Sequence, residues 1–167
     1  EEAKKSFDNA LKYNYSNINQ FKAIFETRGY QCYESDNKLH IKKFGKILLI
    51  TDEDVILKNI RESEDETKKK RKFQLKAIFI KYNGLAIGQK DLVKMMKAKL
   101  GIDIMFHGKE FSPYGYTVVD HANKMVFKGS EILPLKELLY FQTKDEALNN
   151  INDYIYTILE NNKLITT

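Results

Sequence analysis

AIFETRGYQCY, residues 23–33, and MMKAKLGIDIM, residues 95–105, align without a gap. In each stretch apolar side chains at helical spacing run up to a glycine, Gly29 or Gly101, and strand-like residues begin directly after it. A glycine at that place supplies the left-handed backbone that stops a helix, so both stretches predict a helix, a sharp stop and a strand. After each copy comes a second strand and a turn built from Phe, Gly and Lys, at Phe44-Gly45-Lys46 and at Phe127-Lys128-Gly129-Ser130. The prediction is an α+β fold of two helix-then-β-hairpin units joined by a long helix and closed by a C-terminal helix. Internal duplication accounts for the pattern, and so does chance likeness between two amphipathic αβ segments.

Working outward, Ala3, Phe7, Ala10 and Leu11 predict a first helix ending near Tyr13. Ser16 is a candidate N-cap for a second helix, with Ile18, Phe21, Ile24 and Phe25 on one face. Asp36-Asn37 divides YQCYES from KLHIKK as a hairpin turn, and Lys46 to Ile50 makes a third strand. Thr51 followed by Asp52, Glu53 and Asp54 reads as a helix start, because acids there complement the exposed N–H groups. With no Gly or Pro over residues 61–72, that helix is predicted to continue as one connector to Asn83-Gly84, the alternative being two helices. Leu92, Val93, Met95, Met96 and Leu100 predict another helix, followed by strands IDIMFH, YTVVD and MVFK. Ser130 is expected to cap a short helix reaching Leu135 and Leu139. Thr143 to Glu146 reads as a capping box before an amphipathic last helix carrying Ala147, Ile151, Ile155, Ile158 and Leu159. The expected divisions are residues 1–60, 61–88 and 89–167, or one compact domain.

Hydrophobic residues make up 43% of the 167 and charged residues 31%, which is the composition of a folded chain. The lone Cys32 cannot form an internal disulfide, and no apolar run reaches the roughly 18 residues of a membrane span, so a reducing cytoplasm is expected. The chain opens at Glu1 and is read as a piece of something longer. A net charge of +5 permits nucleic-acid binding without requiring it. Its distribution says more: Glu62, Glu64, Asp65 and Glu66 abut Lys68, Lys69, Lys70, Arg71 and Lys72.

The three histidines, at 40, 107 and 121, lack the spacing of a metal site, so no metal or other cofactor is expected. Asp120, His121 and Ser130 are conceivable as acid, base and nucleophile, but neighbours along a strand point to opposite faces and no nucleophile elbow surrounds the serine. The basic run, with KLHIKKFGK and Lys94, Lys97 and Lys99, offers a stripe for phosphates, and a solvated helix face is the plainer reading. Tyr114 and Tyr116 in SPYGYT suit either base stacking or core packing beside a turn.

FKAIFETRGYQCYESDNKLHIKKFGKIL resembles the segment after the catalytic domain of mobilisation relaxases of plasmids and conjugative elements, and YGYTVVDHANKMVFKGSEI resembles the related segment in relaxases of Bacteroides-type mobile elements. Relaxase nicking uses a tyrosine nucleophile and a histidine cluster holding a divalent metal, and this chain has no such cluster. The resemblance therefore implies a noncatalytic, downstream part that holds transfer-origin DNA, single- or double-stranded. The expected contacts are Lys42, Lys43, Lys68, Lys69, Arg71, Lys72 and Lys128. The rival expectation is a protein-interaction domain for assembly of the transfer complex, with other relaxosome proteins as partners.

Overall fold

Asn17 starts the second helix, its side chain accepting the backbone N–H of Gln20 at 2.9 Å, so the cap falls one residue after Ser16. In the computed structural model of the chain, residues 1–61, 65–141 and 144–165 are described, with side chains over 151–163 in the last stretch. Helices α1 (Glu2–Ala10) and α2 (Ile18–Glu26) bury Phe7, Phe21, Ile24 and Phe25. The rings of Phe7, Tyr15 and Phe25 all close on Phe21, with centroids 5.0–5.6 Å away. Gly29 then takes φ +86° and the chain enters a three-stranded meander, β1 (Gln31–Ser35), β2 (Lys38–Lys43) and β3 (Lys46–Asp52). Both hairpin turns have two residues at positive φ, Asp36-Asn37 and Phe44-Gly45, the twist that antiparallel neighbours require. Leu39 and Ile41 face the helices and are fully buried, while the alternate residues face outward.

The second unit repeats the order. Helix α5 (Gln89–Leu100) stops at Gly101, φ +63°, and leads into the meander β4 (Ile102–Lys109), β5 (Ser112–Asp120) and β6 (Met125–Lys128). Each meander is followed at once by a short helix, α3 (Glu53–Leu57) in the first unit and α6 (Gly129–Ile132) in the second. The expected hairpins are thus three-stranded in both copies.

The connector is two helices, not one. Helix α3 ends at Leu57, and α4 (Glu66–Leu85) starts anew where the Asp65 carboxylate accepts the Lys68 N–H at 2.7 Å. Thr51 remains in β3, so the cap position of α3 falls to Asp52. The short helix expected from Ser130 divides into α6 and α7 (Leu135–Leu138). Glu62, Glu64 and the predicted cap Thr143 lie outside the described residues.

The second sheet is covered on both faces. Ile102, Ile104, Tyr116, Val118 and Phe127 pack with Leu75 and Phe79 of α4, Leu92 and Met96 of α5, and Leu138 of α7. Val119 and Val126, on the opposite face, complete the core of the first unit. Asn14 adds a rung beside β6, donating to Lys124 O at 2.8 Å and accepting from Val126 N–H at 3.0 Å. The order of layers is therefore first sheet, α1 and α2, second sheet, α4 with α5 and α7, and the two units share interior side chains. No described residue of α8 (Lys144–Ile165) belongs to either core. Among the described residues no helix is long and apolar enough to cross a membrane.

Candidate nucleic-acid interface

The basic run of α4 is drawn into the fold. Lys68 is 4% exposed, its ammonium lying 3.3 Å from Asn14 Oδ1 and 5.3 Å from the centroid of the Phe127 ring. Arg71 Nε donates to Asp120 Oδ2 at 2.6 Å, and Asp120 is fully buried. Lys72 pairs with Glu131 at 3.7 Å and Lys69 with Glu66 at 3.4 Å. Lys68 and Arg71, expected among the phosphate contacts, thus serve to fasten α4 to Asn14 and to the end of β5. Lys69 remains at the surface beside a carboxylate.

Asp120, the last residue of β5, and His121, the first of the turn after it, point apart. Asp120 turns toward α4, where Asn123 donates to it from its backbone and side chain as well. His121 turns toward α2. Its Nε2 lies 2.9 Å from Asp103 Oδ2 and 3.2 Å from Thr27 Oγ1, and its Nδ1 lies 2.9 Å from the Tyr13 hydroxyl, to which Arg28 also donates. Among the described residues no hydrogen bond joins Asp120, His121 and Ser130, so the conceivable acid, base and nucleophile are not brought together. His121 instead bridges the two units, and Asp120 ties β5 to α4.

The outer face of the first sheet is different in kind. Tyr33 and His40 oppose each other across β1 and β2, with ring centroids 4.6 Å apart and planes within 10°. Lys42 Nζ lies 5.7 Å from the Tyr33 centroid, and Lys43 Nζ lies 4.5 Å from that of Tyr30 and 5.6 Å from that of Phe44. Phe44, at the tip of the hairpin, is 92% exposed, and Lys46 follows one residue later. Among the described residues no carboxylate pairs with Lys42, Lys43 or Lys46. His40 Nδ1 has no hydrogen-bond partner among them either. Of the residues predicted from sequence, Lys42 stands on this face, and Lys43, in register with Lys46, stands at the hairpin tip on the side of Ile41. Tyr33, His40, Phe44 and Lys46 are not among the contacts expected from sequence, although KLHIKKFGK contains three of them.

Lys128 stands elsewhere, in a groove of about 610 Å³ between the start of α2 and the second sheet. The face of that sheet that packs on α2 extends past the helix and there presents His107, Thr117 and Lys128. His107 Nε2 lies 2.7 Å from Thr117 Oγ1. A register shift after His107 is the β-bulge that re-aims Tyr114, which is 81% exposed, so that its ring lies 6.1 Å from His107 and inclined by 28°. Gly108, at φ +102°, makes room, since a Cβ there would lie 2.8 Å from the Tyr114 ring. Lys22, Glu26 and Glu131 also line the groove. Burial pushes the Glu26 carboxyl above its ordinary range, with Lys22 and His107 opposing. Tyr116 belongs to the core, donating to Leu133 O at 2.6 Å, so the two tyrosines of SPYGYT divide between surface and interior.

No protein-family model, curated protein or solved structure matches the chain.

Proposed function

We propose that this chain is a noncatalytic DNA-binding accessory module, of the kind its sequence resembles in mobilisation relaxases, and that it takes single-stranded DNA on the outer face of its first sheet. One observation carries the reading: the stacked Tyr33–His40 pair has Lys42 beside it, Lys43, Lys46 and the exposed Phe44 gather at the adjoining hairpin tip, and among the described residues no carboxylate pairs with those three cations. Aromatic faces accept any base by stacking, and flanking ammonium groups take the phosphates. Lys128, with Tyr114 and His107, forms a separate basic and aromatic surface in the groove beside α2. Transfer-origin DNA, opened to a single strand during mobilisation, is the substrate that the resemblance implies.

Exposed Leu48 and Ile50 on β3 favour the rival reading, in which a protein of the transfer complex docks there. Fluorescence anisotropy of a labelled single-stranded oligonucleotide separates the two. Tyr33→Ala with His40→Ala should weaken binding by about tenfold or more, since a stacked base is worth about 1–3 kcal/mol. Unchanged affinity in that variant, or none in the parent at low salt, leaves the protein-docking reading in its place.

A further inference from the structure

Helix α8 presents an apolar face that belongs to neither core among the described residues. Ile151, Ile155 and Ile158 are exposed, and both cores are complete without them. With Asn162 they follow one another at intervals of four, three and four residues, the alternation of d and a positions in a heptad. In the sequence the same spacing continues to Leu148 before them and Ile165 after them. A 22-residue helix is about 33 Å long, enough for three heptads.

The charges follow the same register. Over residues 151–163 the flanking e and g positions hold Asn152, Tyr154, Leu159 and Asn161, all uncharged. Asp153 and Glu160 fall at f and Lys163 at b, away from the seam. Over this stretch a second copy therefore meets no like charge across the interface. No charge at e or g within it asks for a partner of different sequence either.

We propose that α8 pairs in parallel with α8 of a second copy of this chain as a two-stranded coiled coil, Ile151, Ile155 and Ile158 forming the seam and Asn162 facing its counterpart. Isoleucine at both a and d favours larger assemblies, and one asparagine at an a position overrides that preference in favour of two strands in register. Only the parallel, in-register arrangement sets amide against amide. In the antiparallel one each Asn162 is opposed by an apolar side chain instead.

The test uses the whole chain in sedimentation equilibrium and light scattering. The parent should be a dimer whose dissociation is concentration-dependent. Ile155→Asp with Ile158→Asp should raise the dissociation constant by about a hundredfold or more, since two buried isoleucines per chain are lost. The circular dichroism melt of the remaining fold should stay in place, because neither residue belongs to a core. Asn162→Ile should give a tighter assembly of three or more chains. In a Cys32→Ser background, Ile151→Cys should cross-link to its own counterpart on oxidation, as parallel pairing requires. A monomeric parent at about 100 µM, well above the dissociation constants of stable coiled coils, overturns the proposal. So does a dimer indifferent to the aspartates, a parent trimer, or a dimer that gives no cross-link at position 151.

Discussion

Replacing Arg71 by Met tests whether the basic run of α4 is part of the fold or part of the surface. Asp120 is fully buried, and the Arg71 guanidinium is the one cation that the described geometry places against it, Nε to Oδ2 at 2.6 Å. With Arg71 gone, the carboxylate retains only the Asn123 donors, at 3.0–3.2 Å, and its charge is uncompensated. Breaking a buried pair from one side costs about 3–5 kcal/mol. The Asn123 donors place the loss near the lower end, about 3 kcal/mol. For a chain of 167 residues that lowers the melting temperature by about 6–12 °C. Asp120→Asn should cost less, about 1–2 kcal/mol, because Arg71 is partly exposed and can turn to water. The double variant should lose less than the sum of the two, by about 2 kcal/mol. Urea denaturation followed by circular dichroism measures all three. A loss under about 0.5 kcal/mol for Arg71→Met, or strict additivity, would falsify the structural assignment and return Arg71 to the surface.

Other expectations concern single groups. Burial holds the Cys32 thiol up at about 12, Glu26 adding to the rise and Lys22 opposing it, and burial holds the Tyr15 phenol at about 12. Both shifts favour the neutral form in the folded state. Their stabilisation is full below the unfolded values of about 8.5 and 10, and is lost as pH climbs toward 12. Urea midpoints should accordingly fall from about pH 9 upward, and Cys32→Ser should flatten the first part of that fall. At pH 8 a thiol reagent should modify Cys32 at least about a hundredfold faster in the unfolded chain than in the folded one. Gly108→Ala meets both a positive φ and the Tyr114 ring, so it should cost about 1–3 kcal/mol and abolish the nuclear Overhauser contact between Tyr114 and His107. An unchanged spectrum would show that the bulge does not hold the ring. Tyr116→Phe leaves the buried Leu133 carbonyl without its 2.6 Å donor and should cost about 1–2 kcal/mol by the same denaturation assay.

The fold was legible where backbone chemistry is local. Gly29 and Gly101 both take the left-handed conformation that the sequence assigns them, and each is followed directly by a strand, because a helix stop and a period change are written into adjacent residues. The break before α4 was not legible. Residues 61–72 contain no Gly or Pro, and what restarts the helix is a capping bond from Asp65, which also accepts from Arg61 at 3.3 Å. Which members of the basic run turn inward follows the helix's own period rather than the charge pattern. Lys68 stands seven residues before Leu75 and eleven before Phe79, on the stripe that α4 turns to the core, and that spacing was available in the sequence. The Tyr33–His40 pair depends on cross-strand register, and the exposure of Tyr114 on a bulge, neither of which alternation alone specifies.

Binding of a single-stranded oligonucleotide across a salt series, with the parent and with Lys42→Gln, Lys43→Gln and Lys46→Gln combined, tests the DNA-binding account most directly. The parent should bind at low salt, with log affinity falling by about 0.7 per phosphate neutralised for each unit of log salt. Removing three ammonium groups should weaken binding and flatten that slope by about two units. The fold should persist, since each of these surface changes is worth about 0.5 kcal/mol or less. A parent that shows no affinity at low salt, or a triple variant that keeps the parent's slope, contradicts the account.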